Sequence, residues 1–260
     1  MKTYLSVYKK FFETSLAEAS SFRTSFVLII LMDIIFYLTT LSSVSFIYDH
    51  VSTIGPWNKN QLMFFIAFML TMDHLHMAIV SENFWELSVK IRTGTLDFDL
   101  LRPLSSIFSV FFRYVRASSL VNTPLVWSML IYFGLQLNLT WHQWLIIPPL
   151  LILGFTLFVI IEFCLSVAMF WTIEGWGINF LRMQLQQLAR WPHFIYSYFP
   201  RKILTVFLPI LLVGSGPVNF IYDLSNTQLL FGACAAVIVF AIILKYLWAF
   251  ALRKYDSPSS

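Results

Sequence analysis

The stretch IRTGTLDFDLLRPL, residues 91–104, brings charged residues, a glycine and a proline together in an otherwise apolar chain. It lies between two long apolar runs, and a helix needs about 20 apolar residues to cross a bilayer. We therefore predict that this stretch is a loop in water beside a membrane, joining two spans. A compact, charged loop in that position offers a surface to which a soluble partner can bind.

The composition indicates an integral membrane protein. Of the 260 residues, 58% are hydrophobic, 18% aromatic and only 12% charged, whereas soluble domains contain about 25% charged residues. The two cysteines, Cys164 and Cys234, both lie in apolar runs. They cannot form an extracellular disulfide framework and are interpreted as small buried side chains.

Six apolar segments predict an all-α membrane protein, with six transmembrane helices in a single domain that covers residues 1–260. The predicted spans are residues 26–48, 61–81, 117–139, 144–171, 203–221 and 229–252. The fifth is irregular, since Pro209 and the run Gly214-Ser215-Gly216-Pro217 should break a helix roughly eleven residues after Ile203. Irregular backbone at membrane depth must be covered by protein or line a water-filled cavity. We therefore expect a re-entrant or interfacial helix near 218–224, between the fifth and sixth spans.

Residues 1–24 are predicted to form an interfacial helix. Apolar residues recur at helical spacing between Tyr4 and Ala19, while Lys9, Lys10 and Glu13 occupy the opposite side. This helix could simply anchor the chain, or it could act as an elbow that transmits motion to the first span. No cleaved signal peptide is expected, because the first apolar run is too long and no small-residue cleavage site follows it.

The distribution of positive charge predicts the orientation. Sixteen of the seventeen Lys and Arg residues fall near the termini or in the loops around 82–116 and 174–202, and only Lys59 lies on the opposite side. Because cytoplasmic loops carry the excess of Lys and Arg, both termini and both loops are predicted to be cytoplasmic. In the second loop, residues 179–191 predict an amphipathic surface helix that ends at Pro192. Topology thus explains the basic charge, and nucleic acid is not expected as a partner.

Within 91–104 the residues predict a short helix lying across the membrane surface. Gly94 suits the C-terminus of the helix that leaves the second span. Thr95 can cap a new helix, with Asp97 and Asp99 near its positive N-terminal end. Pro103 disfavours helical geometry at the preceding residue and so ends the helix.

No nucleotide-binding loop of the form G-x-x-x-x-G-K-[ST] occurs in the chain. If the protein uses ATP, a second polypeptide must bind the ATP and Mg²⁺, so we expect no cofactor and no enzymatic activity in this chain itself. The hydrolase motif G-x-S-x-G is missing as well. An intramembrane enzyme remains an alternative, and its reaction would depend on Asp73 and His76.

Four ionisable residues within the predicted spans are candidates for a substrate path: Asp33, Asp73, His76 and Glu162. Burial of such groups in a membrane is costly, so each is suspected of function. Each could instead be satisfied by a neighbouring helix. No metal site is predicted from Asp73, His74 and His76, because His74 points away from the helix face that the other two share.

Three stretches resemble the ABC-2 type transporter permeases: IRTGTLDFDLLRPLSSIF at 91–108, FWTIEGWGI at 170–178, and LARWPHFIY followed by RKILTVFLPILLVGSGPVNFI. The branch that they resemble was long catalogued as a domain of unknown function. It carries a tG-LD-LLRPL segment after its second span and an Arg-aromatic-Pro-x-x-Ile-Tyr segment before a proline-containing fifth span. The matching residues here are Gly94, Leu96, Asp97, Leu100, Leu101, Arg102 and Pro103, and then Arg190, Trp191, Pro192, Ile195, Tyr196, Pro209 and Pro217.

This resemblance implies the permease subunit of an ATP-driven exporter in a bacterial inner membrane, with six spans, cytoplasmic termini and a coupling helix between spans two and three. Two permeases, identical or homologous, would work with two ABC ATPase subunits by alternating access, surrounded by membrane lipid. On this hypothesis the residues that contact the ATPase are Arg92, Gly94, Leu96, Asp97, Asp99, Leu101, Arg102 and Pro103. Aromatic-rich spans with few charges suit a hydrophobic, amphiphilic or lipid-like substrate. A non-transporting membrane scaffold or receptor is the competing interpretation.

Overall fold

The computed structural model describes residues 2–172 and 175–256, and these ranges contain no β-strand. The α-helices are α1 (Lys2–Ser21), α2 (Arg23–Tyr48), α3 (Lys59–Ile79), α4 (Ser81–Thr93), α5 (Leu96–Leu100), α6 (Ser106–Phe111), α7 (Ala117–Leu120), α8 (Thr123–Gln136), α9 (Trp141–Ser166), α10 (Trp176–Ala189), α11 (Tyr198–Lys202), α12 (Leu212–Tyr222) and α13 (Gln228–Lys254). Short 3₁₀-helices cover Val167–Trp171 and His193–Ile195, and a π-helical turn, Ile203–Phe207, continues α11.

The central helix is α3, most of whose side chains are buried. It begins with a capping box, in which the Asn58 side chain accepts from the Gln61 N–H and the Gln61 side chain accepts from the Asn58 N–H. We call the end of the bundle at which α3 and α9 begin the distal end. The end at which these two helices finish, where α4, α5 and α6 lie, is the basal end.

Four helices are long and apolar enough to cross a membrane: α2, α3, α9 with the 3₁₀-helix that follows it, and α13. They coincide with the first, second, fourth and sixth predicted spans. Helices α2 and α13 leave large apolar side chains exposed along their length, among them Met32, Ile35, Phe231 and Phe250. Apolar side chains exposed in this way suit helices that face lipid.

The third predicted span, 117–139, is divided in the structure into α7 and α8. Helix α8 is 14 residues long, which is short of the roughly 20 residues that a helix needs to cross a bilayer alone. It packs along α3, and a 2.9 Å hydrogen bond joins the Thr123 hydroxyl at its start to Nε2 of His74. Its far end reaches the distal half of the bundle, where Gly134 lies against Trp144.

The structure differs from the sequence interpretation of the loop 174–202, because its described residues, 175–202, do not stay at one end of the bundle. Trp176, at the start of α10, packs on Trp85 of α4 at the basal end, with 5.3 Å between ring centroids. Phe194, just after α10, packs on Trp57 at the distal end, with a centroid distance of 4.7 Å. Helix α10 therefore runs along the bundle from the basal end toward the distal end, and the face that carries Trp176 and Phe180 is exposed. Its polar face is covered by partners on α3 and α9, which sequence periodicity alone cannot reveal.

The break in the fifth predicted span also lies elsewhere than expected. Residues Tyr198–Phe207 and Leu212–Tyr222 form two helices bent by 97°, and the break is at Pro209, not at Gly214–Pro217. The run Gly214–Pro217 lies inside α12, where small residues allow close packing on α3 and α13. Pro217 has no N–H to bond with the Val213 carbonyl four residues earlier. That carbonyl instead lies against Gly154 of α9, where an added Cβ would be 2.5 Å from the oxygen.

Helix α12 lies in the distal half of the bundle. Its start is near the middle of α9, at Gly154, and its end is near the start of α9, where the Ile221 carbonyl accepts a 2.6 Å hydrogen bond from Gln143. The chain thus reaches the distal end with α10, turns inward at Pro209, and returns to the distal end with α12. Helix α13 then leads back to the basal end, where Trp248 Nε1 donates to Ser106 Oγ at 2.8 Å.

Candidate functional site

Residues 92–103, which we call the coupling segment, form a short helix between two breaks at the basal end. Helix α4 ends at Thr93, and Gly94 follows with φ +73°, a left-handed conformation that favours glycine. Helix α5 covers Leu96–Leu100 and ends before Arg102, as expected from Pro103. Thr95 occupies the N-cap position but does not cap the helix, because its hydroxyl bonds with that of Thr93 at 2.9 Å.

One face of the coupling segment is buried and internally paired. Leu96 is fully buried, and Asp99 is buried with its carboxylate bonded to Lys90 Nζ at 2.7 Å and to Arg102 Nη2 at 3.4 Å. Lys90 is itself buried and lies 5.0 Å from the Tyr114 ring centroid. A buried charge requires a partner of this kind. Asp99 therefore holds α5 on α4 and is not a surface that a partner protein can contact.

The opposite face of the coupling segment is exposed and apolar. Phe98 is 70% exposed and Leu101 is 81% exposed, although both are large hydrophobic residues. The predicted contact residues divide accordingly: Arg92, Leu101 and Pro103 are exposed, Asp97 and Arg102 are half-buried, and Gly94, Leu96 and Asp99 are buried. Phe98 and Lys90 were missed from sequence. The i, i+3 spacing of Phe98 and Leu101, opposite Leu96, was the signal that could have identified the exposed face.

The coupling segment is connected to the transmembrane helices through an apolar cluster at the basal end. Phe111 of α6 stacks on Phe163 of α9 with 3.9 Å between ring centroids, and Phe111 also contacts Trp248 of α13 at 5.5 Å. We call the buried residues here the basal cluster, and its members are Val80, Phe84, Leu87, Leu96, Val110, Phe111, Val159, Phe163, Val167, Met169, Leu244, Trp248 and Ala251. Leu96 therefore places α5 in the same packed interior as α9 and α13.

Helix α1 contacts the basal loops directly. Phe11 is buried and lies beneath the guanidinium groups of Arg113, at 4.8 Å, and Arg102, at 5.7 Å. The Tyr4 hydroxyl accepts a 3.1 Å hydrogen bond from the Ser105 N–H, two residues after the coupling segment. The apolar side of α1 therefore packs partly on protein. This arrangement suits the elbow interpretation, since α1 joins the coupling segment to the start of α2.

Helix α10 presents a stripe of polar side chains to the interior of the bundle. Arg182, Gln186 and Arg190 recur every four residues and so share one face. Arg182 Nη1 donates to Glu162 Oε1 at 3.0 Å, and Gln186 Nε2 donates to the same oxygen at 2.9 Å. His76 Nε2 lies 2.5 Å from Glu162 Oε2. A carboxylate, a histidine and an arginine from three helices thus form one buried cluster.

The polar stripe also contacts the basal cluster. The guanidinium carbon of Arg182 lies 3.6 Å from the ring centroid of Phe84, a residue of α4, and Arg182 Nη2 donates to Asn179 at 3.2 Å. Near the other end of the stripe, Arg190 Nε donates to Asp73 Oδ2 at 2.6 Å and the guanidinium lies 4.8 Å from the Phe36 ring. Helix α10 therefore links α2, α3, α4 and α9 through charged groups.

The four acidic or histidine residues proposed for a substrate path do not form one group. His76 and Glu162 are in direct contact, and Asp73 is on the same side of the bundle but pairs with Arg190. Asp33 is separate, since it accepts from Ser119 Oγ at 2.8 Å and lies 3.5 Å from Arg116. Among the described residues each of the four therefore has a partner on another helix or on the loop that precedes one.

A cleft of about 200 Å³ lies beside the polar stripe, between α2, α3, α4 and α10. Asp73 and His76 line it together with Arg182, Gln186 and Arg190, whereas Asp33 and Glu162 do not. The cleft therefore makes two of the four candidates accessible from one side of the bundle. Within residues 2–172 and 175–256, no three His, Cys, Asp or Glu side chains are arranged to hold a metal ion, and Cys164 and Cys234 are unpaired.

A comparison with known protein families shows which family the chain belongs to. The model of a family described as ABC-2 family transporter protein matches residues 34–259. This range includes most of α2 and every helix from α3 to α13. No curated protein and no solved structure matches the chain. The match covers the coupling segment, the basal cluster and the polar stripe, and it agrees with an all-helical membrane protein that transports and is not itself catalytic. The chain belongs to the ABC-2 family of transporter proteins.

Proposed function

We propose that this protein is the permease subunit of an ATP-driven exporter in a bacterial inner membrane. The basal end faces the cytoplasm, and the coupling segment docks on an ABC ATPase subunit that binds the ATP and Mg²⁺. Two ATPase subunits and a second permease, identical or homologous, complete the transporter. The substrate is hydrophobic, amphiphilic or lipid-like and leaves the cytoplasm or the inner leaflet by alternating access.

The observation that carries the proposal is the exposed pair Phe98 and Leu101 on a helix that is held rigidly from behind. Large apolar side chains that are exposed at the centre of a charged loop are typical of an interaction surface. The Lys90–Asp99 pair and buried Leu96 fix the position of this helix. A rigid helix with an apolar tip can transmit force from a partner, whereas a flexible loop would absorb it.

The proposed route of coupling follows the contacts. Movement of α5 displaces Leu96 in the basal cluster and therefore Phe84, whose ring lies under Arg182. Arg182 is bonded to Glu162, so the same displacement reaches the interfaces of α10 with α9 and α3. We propose that the cleft beside the polar stripe is part of the substrate path. Asp73 and His76 contact the substrate there, while Glu162 and Asp33 keep α10, α9, α7 and α2 in position.

The proposed topology has six crossings formed by α2, α3, α7 with α8, α9, α10 and α13. Residues 198–222 form a re-entrant region between the fifth and sixth crossings, and both termini are cytoplasmic. In this topology α10, which at 14 residues is as short as α8, replaces 203–221 as the fifth crossing together with the turn that continues it at Arg190 and Trp191. Its Arg residues are tolerated at membrane depth because they pair with carboxylates in the bundle interior, as charged residues in membrane helices generally do.

Co-purification tests the proposal against the scaffold alternative. A tagged full-length chain expressed with the genes that neighbour its own should bring down a P-loop ATPase in near-equal amount. Phe98→Ala combined with Leu101→Ala should reduce the recovered ATPase at least several-fold, because apolar anchors at an interface carry most of its binding energy. Phe231→Ala is the matched control, since Phe231 is similarly exposed, at 68%, but lies at the distal end. Recovery of the chain without an ATPase would favour a scaffold or receptor.

A further inference from the structure

The segment that turns at the distal end forms a groove with basic residues at its rim. Residues 198–207 and the start of α13 enclose a space of about 280 Å³, and its walls are mostly apolar. The groove is lined by His193, Tyr198, Arg201, Lys202, Thr205, Val206 and Leu229. It is separate from the coupling segment and from the polar stripe.

The described part of the chain provides no acidic partner for the two basic residues at this groove. Within the described ranges, ion pairs account for Lys90, Arg102, Arg116, Arg182 and Arg190, but no carboxylate lies within 4.0 Å of Arg201 or Lys202. Arg201 is half-buried and Lys202 is exposed, with its Nζ 4.6 Å from the Tyr198 ring centroid. Unpaired cations beside an apolar groove leave an excess of positive charge that an anion can neutralise.

Two residues that line the groove also carry an unsatisfied polar atom. The Nδ1 atom of His193 and the Oγ1 atom of Thr205 are buried and have no hydrogen-bond partner in the described part of the chain. The backbone N–H of His193 donates to Ser215 Oγ at 3.0 Å, which fixes the position of the residue. Burial and the nearby Arg201 guanidinium lower the pKa of His193, so its ring is neutral at neutral pH and the positive charge comes from Arg201 and Lys202. Buried polar atoms normally have partners, and their absence here suggests a ligand that supplies them.

The surroundings of the groove are those of a membrane interface. The helix pair at this point is bent by 97°, so residues 198–207 lie across the direction of α12. Phe199, Val206 and Phe207 are 73%, 67% and 77% exposed, so this segment carries apolar side chains outward beside its two cations. A segment with both features lies at the boundary between acyl chains and headgroups. Positive charge is also unusual on the non-cytoplasmic side of a membrane protein, where the proposed orientation places this end.

We propose that this groove binds the phosphate headgroup of an anionic phospholipid. Arg201 and Lys202 neutralise the phosphate, His193 and Thr205 donate hydrogen bonds to its oxygens, and an acyl chain lies along Val206 and Leu229. The bound lipid anchors the turn at Pro209 to the bilayer. This proposal needs no ATPase and no transport, so its failure would leave the proposed function untouched.

Native mass spectrometry of the full-length chain in neutral detergent tests the site. The chain is titrated with phosphatidylglycerol or with phosphatidylcholine of the same acyl chains. We expect tighter binding of phosphatidylglycerol, and about thirty-fold weaker binding when Arg201→Gln and Lys202→Gln are combined, because each basic residue near a lipid surface contributes on the order of 1 kcal/mol. Thr205→Val, which keeps the shape of the side chain, should weaken the same lipid more modestly. Because Thr205→Val leaves the charges in place, it tests the site even where the double variant folds poorly.

The matched control combines Arg253→Gln with Lys254→Gln, which removes an adjacent Arg-Lys pair from the basal end of α13. It should retain the tight phosphatidylglycerol binding. Equal losses in the two double variants would indicate unspecific attraction and overturn the proposal. Equal binding of the two lipids would overturn it as well. Displacement of the lipid by millimolar glycerol phosphate would show that a free phosphate suffices, which contradicts a lipid site.

Discussion

Lys90 Nζ lies 2.7 Å from Asp99 Oδ2, and this buried ion pair holds the coupling helix α5 on α4. The pair leaves Phe98 and Leu101 as the large apolar side chains of the coupling segment that a partner can reach. Asp97, Asp99 and Arg102 are obvious targets for charge reversal in a test of coupling. Because Asp99 is internally bonded, however, reversing its charge would disturb α5 itself and would not report on the partner alone.

The first prediction concerns this ion pair. Asp99→Ala should destabilise the protein by about 3 kcal/mol, because it leaves the buried Lys90 ammonium uncompensated. Combining Lys90→Met with Asp99→Leu should recover most of that loss, since two apolar side chains can replace a buried ion pair. The thermal unfolding midpoint of the purified protein in detergent measures both effects. If Asp99→Ala were as stable as the wild-type protein, the ion pair would not be what holds α5 on α4.

The second prediction concerns the contact between α9 and α12. Gly154→Ala should destabilise the protein by about 1–3 kcal/mol, since the new methyl group would meet the Val213 carbonyl at 2.5 Å and force the helices apart. Gly177→Ala is the control, because a Cβ there has no neighbouring atom within 4 Å. Because position 177 lies in a helix, Gly177→Ala should leave the stability of the protein unchanged or raise it by up to about 1 kcal/mol. Equal unfolding midpoints for the two variants would contradict the packing described.

The third prediction concerns the passage of α10 from the basal end toward the distal end of the bundle. After replacement of Cys164 and Cys234 by alanine, single cysteines at Gly177 and Ser197, both exposed positions, should react with a membrane-impermeant maleimide from opposite sides of the membrane. In spheroplasts we expect labelling at 197 and protection at 177. If the whole of 174–202 were a cytoplasmic loop, both positions would be protected. Protection at both positions would therefore support the topology inferred from sequence and contradict the course of α10 in the structure.

The fourth prediction concerns the polar stripe. Arg182→Met should destabilise the bundle by about 3 kcal/mol, since Glu162 loses its permanent positive partner in a buried position. Arg92→Met removes an arginine from an exposed position and should change the unfolding midpoint little. Thermal unfolding of the two variants in the same detergent compares them. A similar small effect for both would mean that the Arg182–Glu162 pair contributes little to the position of α10.

The features that could be predicted from the sequence depend on local patterns. Four long apolar helices and the short helix between Gly94 and Pro103 follow from composition, spacing and backbone preference. Helix α10 could not be placed, because a face carrying Arg182, Gln186 and Arg190 is equally suited to water and to carboxylates on other helices. Only the tertiary structure shows that Glu162 and Asp73 cover it.

Two further features that the sequence did not predict correctly have a similar origin. Glycine and proline at 214–217 are local helix breakers, but close packing on Met69 and Leu229 makes small residues favourable within α12. Phe98 was missed because hydrophobic residues are abundant throughout this chain. Its exposure becomes informative only once Leu96 is known to occupy the buried face of α5.

The central claim is that Phe98 and Leu101 contact an ATPase, and site-specific photo-crosslinking tests it most directly. A benzoylphenylalanine in place of Phe98 in cells that express the neighbouring genes should give a crosslink to a P-loop ATPase, identified by mass spectrometry. The same group in place of Phe231 should give none, although that position is similarly exposed. No ATPase crosslink at position 98, or equal crosslinks at both positions, would contradict the account.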